Sequence, residues 1–111
     1  TEKTIKAFYQ RQDILGETYE PMQQLGYLTF DVDGLDPAYT PGTGTPEAGG
    51  ITMREAQRLI RAFSGVDLIG GDVVEVSPPL DPSGMTSLNG ATILFEILCL
   101  LSEQIASSAV D

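Results

Sequence analysis

Asp31 and Asp33 stand two residues apart at the end of an apolar run, Tyr27–Val32 (YLTFDV). In a β-strand, residues i and i+2 point to the same side. Both carboxylates would then project together from the carboxyl end of a strand, where open α/β sheets place their ligands. Two like charges held that close repel, and one pKa must rise unless a cation lies between them. Asp oxygens suit a divalent ion of the magnesium or manganese kind. A plainer reading uses the same residues: the pair ends a strand, and one Asp caps the turn at Gly34. Spacing alone leaves both open. A second apolar run, Val66–Val76 (VDLIGGDVVEV), carries Asp72 and Glu75. Taken singly, each is a strand acid that could simply face water.

Composition narrows the chemistry. The chain has 111 residues, six Lys and Arg against sixteen Asp and Glu, and a formal net charge of −10. Phosphate contacts need Lys and Arg, so a nucleic-acid partner is not expected. Docking on an anionic membrane is not expected either. The sequence contains no histidine and one cysteine, Cys99. A Ser-His-Asp triad, a Cys-His pair, a His-ligated metal and an intrachain disulfide are thereby excluded for this chain alone. Any metal must be held by oxygen ligands, or by ligands from elsewhere. The polar start TEKTIKAFYQRQ lacks an apolar signal core. The longest apolar stretch, Ile93–Leu101, is short for a bilayer and is interrupted by Glu96. A soluble, cytoplasmic α/β piece of at most one domain is expected. All six basic residues fall at or before Arg61, and residues 62–111 carry seven acids and no base. That half must face a partner, a cation or plain solvent.

The elements that would position these acids follow from pattern. Thr1–Gln12 fits a short helix with Ile5, Phe8 and Tyr9 on one face. Tyr27–Val32 is almost continuously apolar, which suits a strand buried on both faces of a parallel sheet. Gly34–Gly50 holds five Gly and three Pro in seventeen residues, so it can be neither helix nor central strand. A loop of that length in a compact domain is usually functional, and its prolines favour an ordered binding loop. Thr52–Phe63 is a helix opened by the capping box Thr52/Glu55. Met53, Ala56, Leu59, Ile60 and Phe63 share one face, and Arg54, Arg58 and Arg61 line the other as a solvated stripe. Gly65 suits a left-handed C-terminal position. Val66–Val76 is the second strand, its Gly-Gly step marking a bulge or a close approach. Thr86–Ile105 is a helix apolar almost all round, to be buried on more than one side, with Cys99 as core packing. The order is β-loop-α-β-loop-α, and two strands joined by a helix are expected to be parallel with a right-handed crossover. Two strands do not make a self-sufficient parallel sheet, which points to a piece of a larger α/β fold.

The D-V-D-G step has three specific interpretations. An EF-hand fails, because Leu35 takes the fifth loop position, Asp36 the sixth and Gly42 the twelfth. YLTFDVDGLD also resembles the start of a haloacid-dehalogenase-type phosphatase, D-x-D-G-T, with Leu35 in place of the Thr and no later Lys or acidic-pair motif evident, and a fragment of that kind stays as the weaker alternative. The third is specific: FDVDGLDPAYTPGTGTPEAGGITMREA, followed by GGDVVEVSPPLD, resembles the second half of the ureohydrolase family of arginases, agmatinases and guanidinobutyrases. The likeness runs over roughly residues 27–105, and PGTGTPE and EVSPP look more like the agmatinase and guanidinobutyrase branch. The first 25 residues carry no clear match.

The resemblance implies the C-terminal portion of a three-layer α/β/α arginase-like fold, with residues 1–111 a partial domain. It implies a binuclear manganese cofactor with Asp31 bridging both ions and Asp33 binding one. Glu75 matches the acid that holds the substrate guanidinium, and Thr45 helps shape the pocket. The implied reaction is attack of a metal-bridged hydroxide on a small cationic guanidino substrate, giving urea and an amine. Trimers or hexamers are usual in the family, with contacts near Arg54 and Glu55. This sequence departs from the family in one respect: the upstream G-G-D-H and D-A-H-x-D ligand motifs are absent, and so is the proton-shuttling histidine. The isolated chain is therefore expected to bind manganese weakly and turn over nothing. A non-catalytic or split-subunit interaction module of the same fold is the alternative.

Overall fold

The computed structural model describes residues 26–109. The expected N-terminal helix Thr1–Gln12 lies outside the described residues. Two strands, β1 (Gly26–Asp31) and β2 (Leu68–Val74), pair in parallel, with α1 (Met53–Arg61) between them in sequence and α2 (Met85–Ala109) after them. This is the anticipated β-loop-α-β-loop-α order. Tyr27 pairs with Gly70 and Asp31 with Val74, and a register shift follows Gly26.

Strand β1 is buried on one face only, contrary to the expectation from its continuous apolarity. Leu28 and Phe30 are half-buried, whereas Tyr27, Thr29 and Asp31 are exposed. The reason is that both helices lie on the Leu28 and Phe30 side. Ala56 and Ile60 of α1 and Ile93, Ile97 and Leu100 of α2 form one cluster with Leu35 and Leu68, against which Leu28, Phe30 and Val73 pack. Burying each such aliphatic side chain contributes about 1.5–3 kcal/mol. Gly71 lets the helix approach: a Cβ there would sit 2.6 Å from Ile97 Cγ2 and 2.8 Å from the Leu28 carbonyl oxygen. Close packing, one of the two meanings of the Gly-Gly step, is thus found at Gly71.

Helix α1 is capped by Thr52 as expected, but Glu55 turns to the Thr52 hydroxyl rather than to its backbone N–H, so half of the capping box is made. The Glu55 N–H donates to Thr52 Oγ1 at 3.1 Å, and the Thr52 hydroxyl lies 3.1 Å from Glu55 Oε1. Its C-terminus comes at Arg61, and Gly65, at φ +89°, completes the turn that follows. The arginine stripe is not uniformly solvated. Arg61 makes a two-pronged contact with Glu96, Nε to Oε2 at 2.9 Å and Nη2 to Oε1 at 2.6 Å. Gln57 adds a third bond to Glu96, so the one charge in the middle of α2 ties the two helices together.

Helix α2 is longer than expected, 25 residues, and by length and composition alone it could cross a bilayer. Here its inner face packs on the sheet. Burial on more than one side is not found among the described residues: Leu88, Leu94, Phe95, Leu98 and Ile105 are exposed. Among the described residues β2 and α1 lie against it on the Ile93/Ile97 side, and the loop between β1 and α1 meets its first turns. Cys99 is half-buried.

Candidate functional site

The strands finish side by side, and each ends in a turn that displaces an acid. β1 stops at Asp31, and Val32–Gly34 form a 3-10 turn. Contrary to the expectation, strand alternation therefore does not position Asp33. A turn does, and Asp31 caps that turn: its Oδ1 accepts the Asp33 N–H at 2.8 Å. The two readings of the aspartate pair coexist. Asp31 is a cap through one oxygen, and its other oxygen accepts no hydrogen bond among the described residues.

Asp33 is gripped from the loop. Thr43 Oγ1 donates to Asp33 Oδ1 and Thr45 Oγ1 to Oδ2. These two hydroxyls, Thr43 first, hold the Asp33 carboxyl below its ordinary value and keep it charged. Thr45 was expected to shape the pocket. Thr43 was not singled out, although it is buried and central: its hydroxyl also lies 2.9 Å from the backbone carbonyl of Glu75.

Glu75 follows β2 directly and lies beyond the strand rather than inside it. Its backbone is left-handed, φ +72°, a conformation that costs a non-glycine residue about 1–3 kcal/mol and persists where neighbours hold it. Those neighbours are Thr43, on its carbonyl, and the next clamp along, Ser77 N–H to the Gly42 carbonyl at 2.7 Å. Since Asp31 pairs with Val74, Glu75 stands at the same sheet edge as the aspartates, and it is exposed.

The loop that brings the threonines is closed at its base. Asp36 N–H donates to the Ile51 carbonyl at 2.9 Å and Ile51 N–H to the Gly34 carbonyl at 3.1 Å. Asp36 then accepts from the Ala38 and Gly49 N–H groups at 2.9 and 3.0 Å. Gly50 permits this closure, because a Cβ there would lie 2.6 Å from the Asp36 nitrogen. The far side is docked on α2: the Gly42 N–H donates to Thr86 Oγ1 at 2.8 Å, and Thr86 donates to Asp81 Oδ2 at 2.6 Å. Ser83 and Thr86 hold the Asp81 carboxyl down at about 2. Asp36 and Asp81 were not singled out from sequence either. Asp36-Pro37 is an Asx-turn signature that could have marked the first.

Asp72 lies on the face of the sheet that carries Tyr27 and Thr29, away from the helices among the described residues. It accepts from Tyr27 OH at 2.9 Å and Thr29 Oγ1 at 2.5 Å. Its hydrogen bond pushes the Tyr27 phenol pKa up. Asp72 braces the two strands and is separate from the edge. The base-free half of the chain thus satisfies its acids mostly with hydroxyls and amides.

The donor set is oxygen only: Asp31, with a carboxylate oxygen to spare, and Asp33. It suits a hard divalent cation of the manganese class. It is also partial, since among the described residues no three His, Cys, Asp or Glu side chains converge.

The sequence matches the model of the Arginase family over residues 4–100. The match reaches well into the first 25 residues, contrary to the expectation from the motifs, which begin only at Tyr27. The chain is 63% identical over 83 residues to the guanidinopropionase of Pseudomonas aeruginosa, covering 75% of this chain and 26% of that protein. It is 61% identical over 75 residues to the guanidinobutyrase of the same organism, covering 68% and 24%. Among solved structures, a hypothetical agmatinase from Burkholderia thailandensis superposes with a TM-score of 0.70 at 49% identity, covering 73% of this chain and 26% of that one. The arginase of Bacillus subtilis superposes with a TM-score of 0.60 at 35% identity, covering 65% and 26%. The chain spans about a quarter of the length of the curated relatives it matches.

Proposed function

The chain belongs to the arginase family, and from that premise we propose that it supplies one side of the active site of a manganese-dependent amidinohydrolase. The reaction cleaves a small guanidino compound to urea and an amine. One observation carries this reading: Asp31 and Asp33 close β1 where Glu75 follows the paired end of β2, and the Thr43 hydroxyl reaches both Asp33 and the Glu75 backbone carbonyl.

Asp31 and Asp33 are the residues that would hold the metal pair, and with no histidine in the sequence the other ligands come from elsewhere. The metals, when bound, lower the pKa of water enough to supply a nucleophile near neutral pH. Asp31 contributes the oxygen left over from its capping bond. Asp33 remains ionised because two hydroxyls favour its charged form. Glu75 offers a carboxylate to the planar guanidinium, which it can accept in two-pronged fashion, fixing the carbon to be attacked. The net charge of −10 attracts a cationic guanidino group over distance. The names of the relatives support guanidino acids and agmatine as the substrates to try first. A homo-oligomer, trimer or hexamer, and a cytoplasmic location complete the proposal.

The test places the 111-residue chain in frame in the matching quarter of the Pseudomonas aeruginosa guanidinopropionase. The product is loaded with manganese and urea release is assayed from guanidinopropionate, guanidinobutyrate and agmatine. Urea from at least one is expected, and none from the isolated chain. A folded, manganese-loaded chimaera that releases no urea from any of them would count against the catalytic reading. Turnover by the chain alone would refute the division of the site.

A further inference from the structure

Among the described residues, Thr43 is the one side chain hydrogen-bonded to both Asp33 and Glu75. Its hydroxyl faces a carboxylate oxygen of Asp33 and, at 2.9 Å, the backbone carbonyl of Glu75. A threonine hydroxyl has a single proton and two lone pairs, so it can donate fully to only one of these acceptors at a time. We infer that Thr43 is a positioning residue that couples the cation-holding Asp33 to the guanidinium-holding Glu75. The inference rests on the roles proposed above for those two acids.

The physical argument starts from the competition for that proton. A free carboxylate is the stronger acceptor and takes it. Were Asp33 to hold a cation, its carboxylate would be the weaker acceptor, and the Thr43 proton would turn toward the Glu75 carbonyl. Glu75 is the described non-glycine residue with a left-handed backbone, φ +72°. A donor on its carbonyl holds that conformation and with it the direction in which its side chain leaves the strand. Metal occupancy thereby favours the orientation that receives substrate, and by linkage substrate favours metal. The hydroxyl itself is held still: Thr43 is buried, and its neighbour Gly42 is docked on Thr86 in a space where a Cβ would lie 2.6 Å from Asp81 Cβ. Thr45 is the internal control. It is exposed and donates to Asp33 alone.

The experiment uses the active chimaera and measures two constants for each variant: the manganese dissociation constant, by electron paramagnetic resonance titration, and KM for the preferred guanidino substrate at saturating manganese. Thr43→Val, which takes away the donor that competes with the cation for Asp33, is expected to tighten manganese binding about tenfold and to raise KM about tenfold, with a smaller change in kcat. Thr45→Val is expected to tighten manganese binding without moving KM. Thr43→Ser, which keeps the hydroxyl, is expected to restore both constants to within about twofold of wild type. Asp33→Asn and Glu75→Gln serve as reference variants, one for metal and one for KM. If both move their own constant and Thr43→Val moves neither, or moves only one, the coupling is wrong while the site stands. If neither reference variant moves its constant, the site reading fails first. Should Thr43→Val not fold, the serine variant still decides, because a tenfold change in either constant with the hydroxyl present overturns the inference.

Discussion

The carboxyl edge of the sheet and the interior beneath the helices are held together by different physics. At the edge, acids are fixed by hydroxyls: Asp33 by Thr43 and Thr45, Asp81 by Ser83 and Thr86. Each bond favours the charged form, so negative charge is kept ready without a neighbouring cation. In the interior, Ile60, Ile93 and Ile97 are almost wholly buried, and Gly71 is present because nothing larger fits. Shape decides there and charge does not, apart from the Arg61–Glu96 link. The difference teaches that stability and chemistry are lodged in separate atoms, which allows each to be broken without the other.

The largest effect should come at the edge. In the active chimaera, Asp33→Asn should reduce kcat/KM about a thousandfold, roughly 4 kcal/mol, with a smaller loss of stability than the interior variants below. Interior truncation should do the reverse. Ile97→Ala removes a fully buried side chain and should lower unfolding free energy by about 2–5 kcal/mol in urea titration, leaving KM in place. Gly71→Ala forces a methyl against Ile97 and the Leu28 carbonyl, and a loss of about 1–3 kcal/mol is expected. Thr52→Ala removes the α1 cap at about 1 kcal/mol, seen as a small shift of the urea midpoint. An interior variant that changed KM tenfold while staying folded would erase the division.

The mildest test is pH. Asp81 has a folded pKa of about 2 against an ordinary 3.8. A depressed carboxylate contributes stability that is complete above its unfolded pKa and is lost as pH falls through the folded one. The urea midpoint should therefore be level above about pH 4 and decline between about pH 4 and pH 2. Asp81→Asn should flatten part of that decline, and an unaltered slope would remove Asp81 from the account.

The sequence was most legible where local chemistry decides. Gly and Pro density marked the loop from Gly34 to Gly50, and the Thr52/Glu55 pair marked the start of α1. Parallel pairing followed from the intervening helix. The strand ends were harder. Asp31–Asp33 and Val74–Val76 look like continuing strand, because a 3-10 turn and a left-handed glutamate leave no trace in hydrophobic period. Burial was misjudged at Tyr27 and along the outer side of α2, since apolarity records that a surface favours cover without saying which segment provides it. Thr43 was invisible for another reason. Its partners lie 10 and 32 residues away, and no local propensity registers a hydroxyl that reaches so far.

The clasp at Leu35 and Ile51 bears on the order in which the molecule assembles. It closes a ring whose ends are much nearer in sequence than the strand partners Asp31 and Val74, and shorter closures cost less chain entropy. The Asp33 cradle belongs to that early ring, whereas Glu75 arrives only when the strands zip. Amide protons of the ring should then gain protection ahead of those of β2 in pulse-labelled refolding, with the ion's seat built before the substrate's.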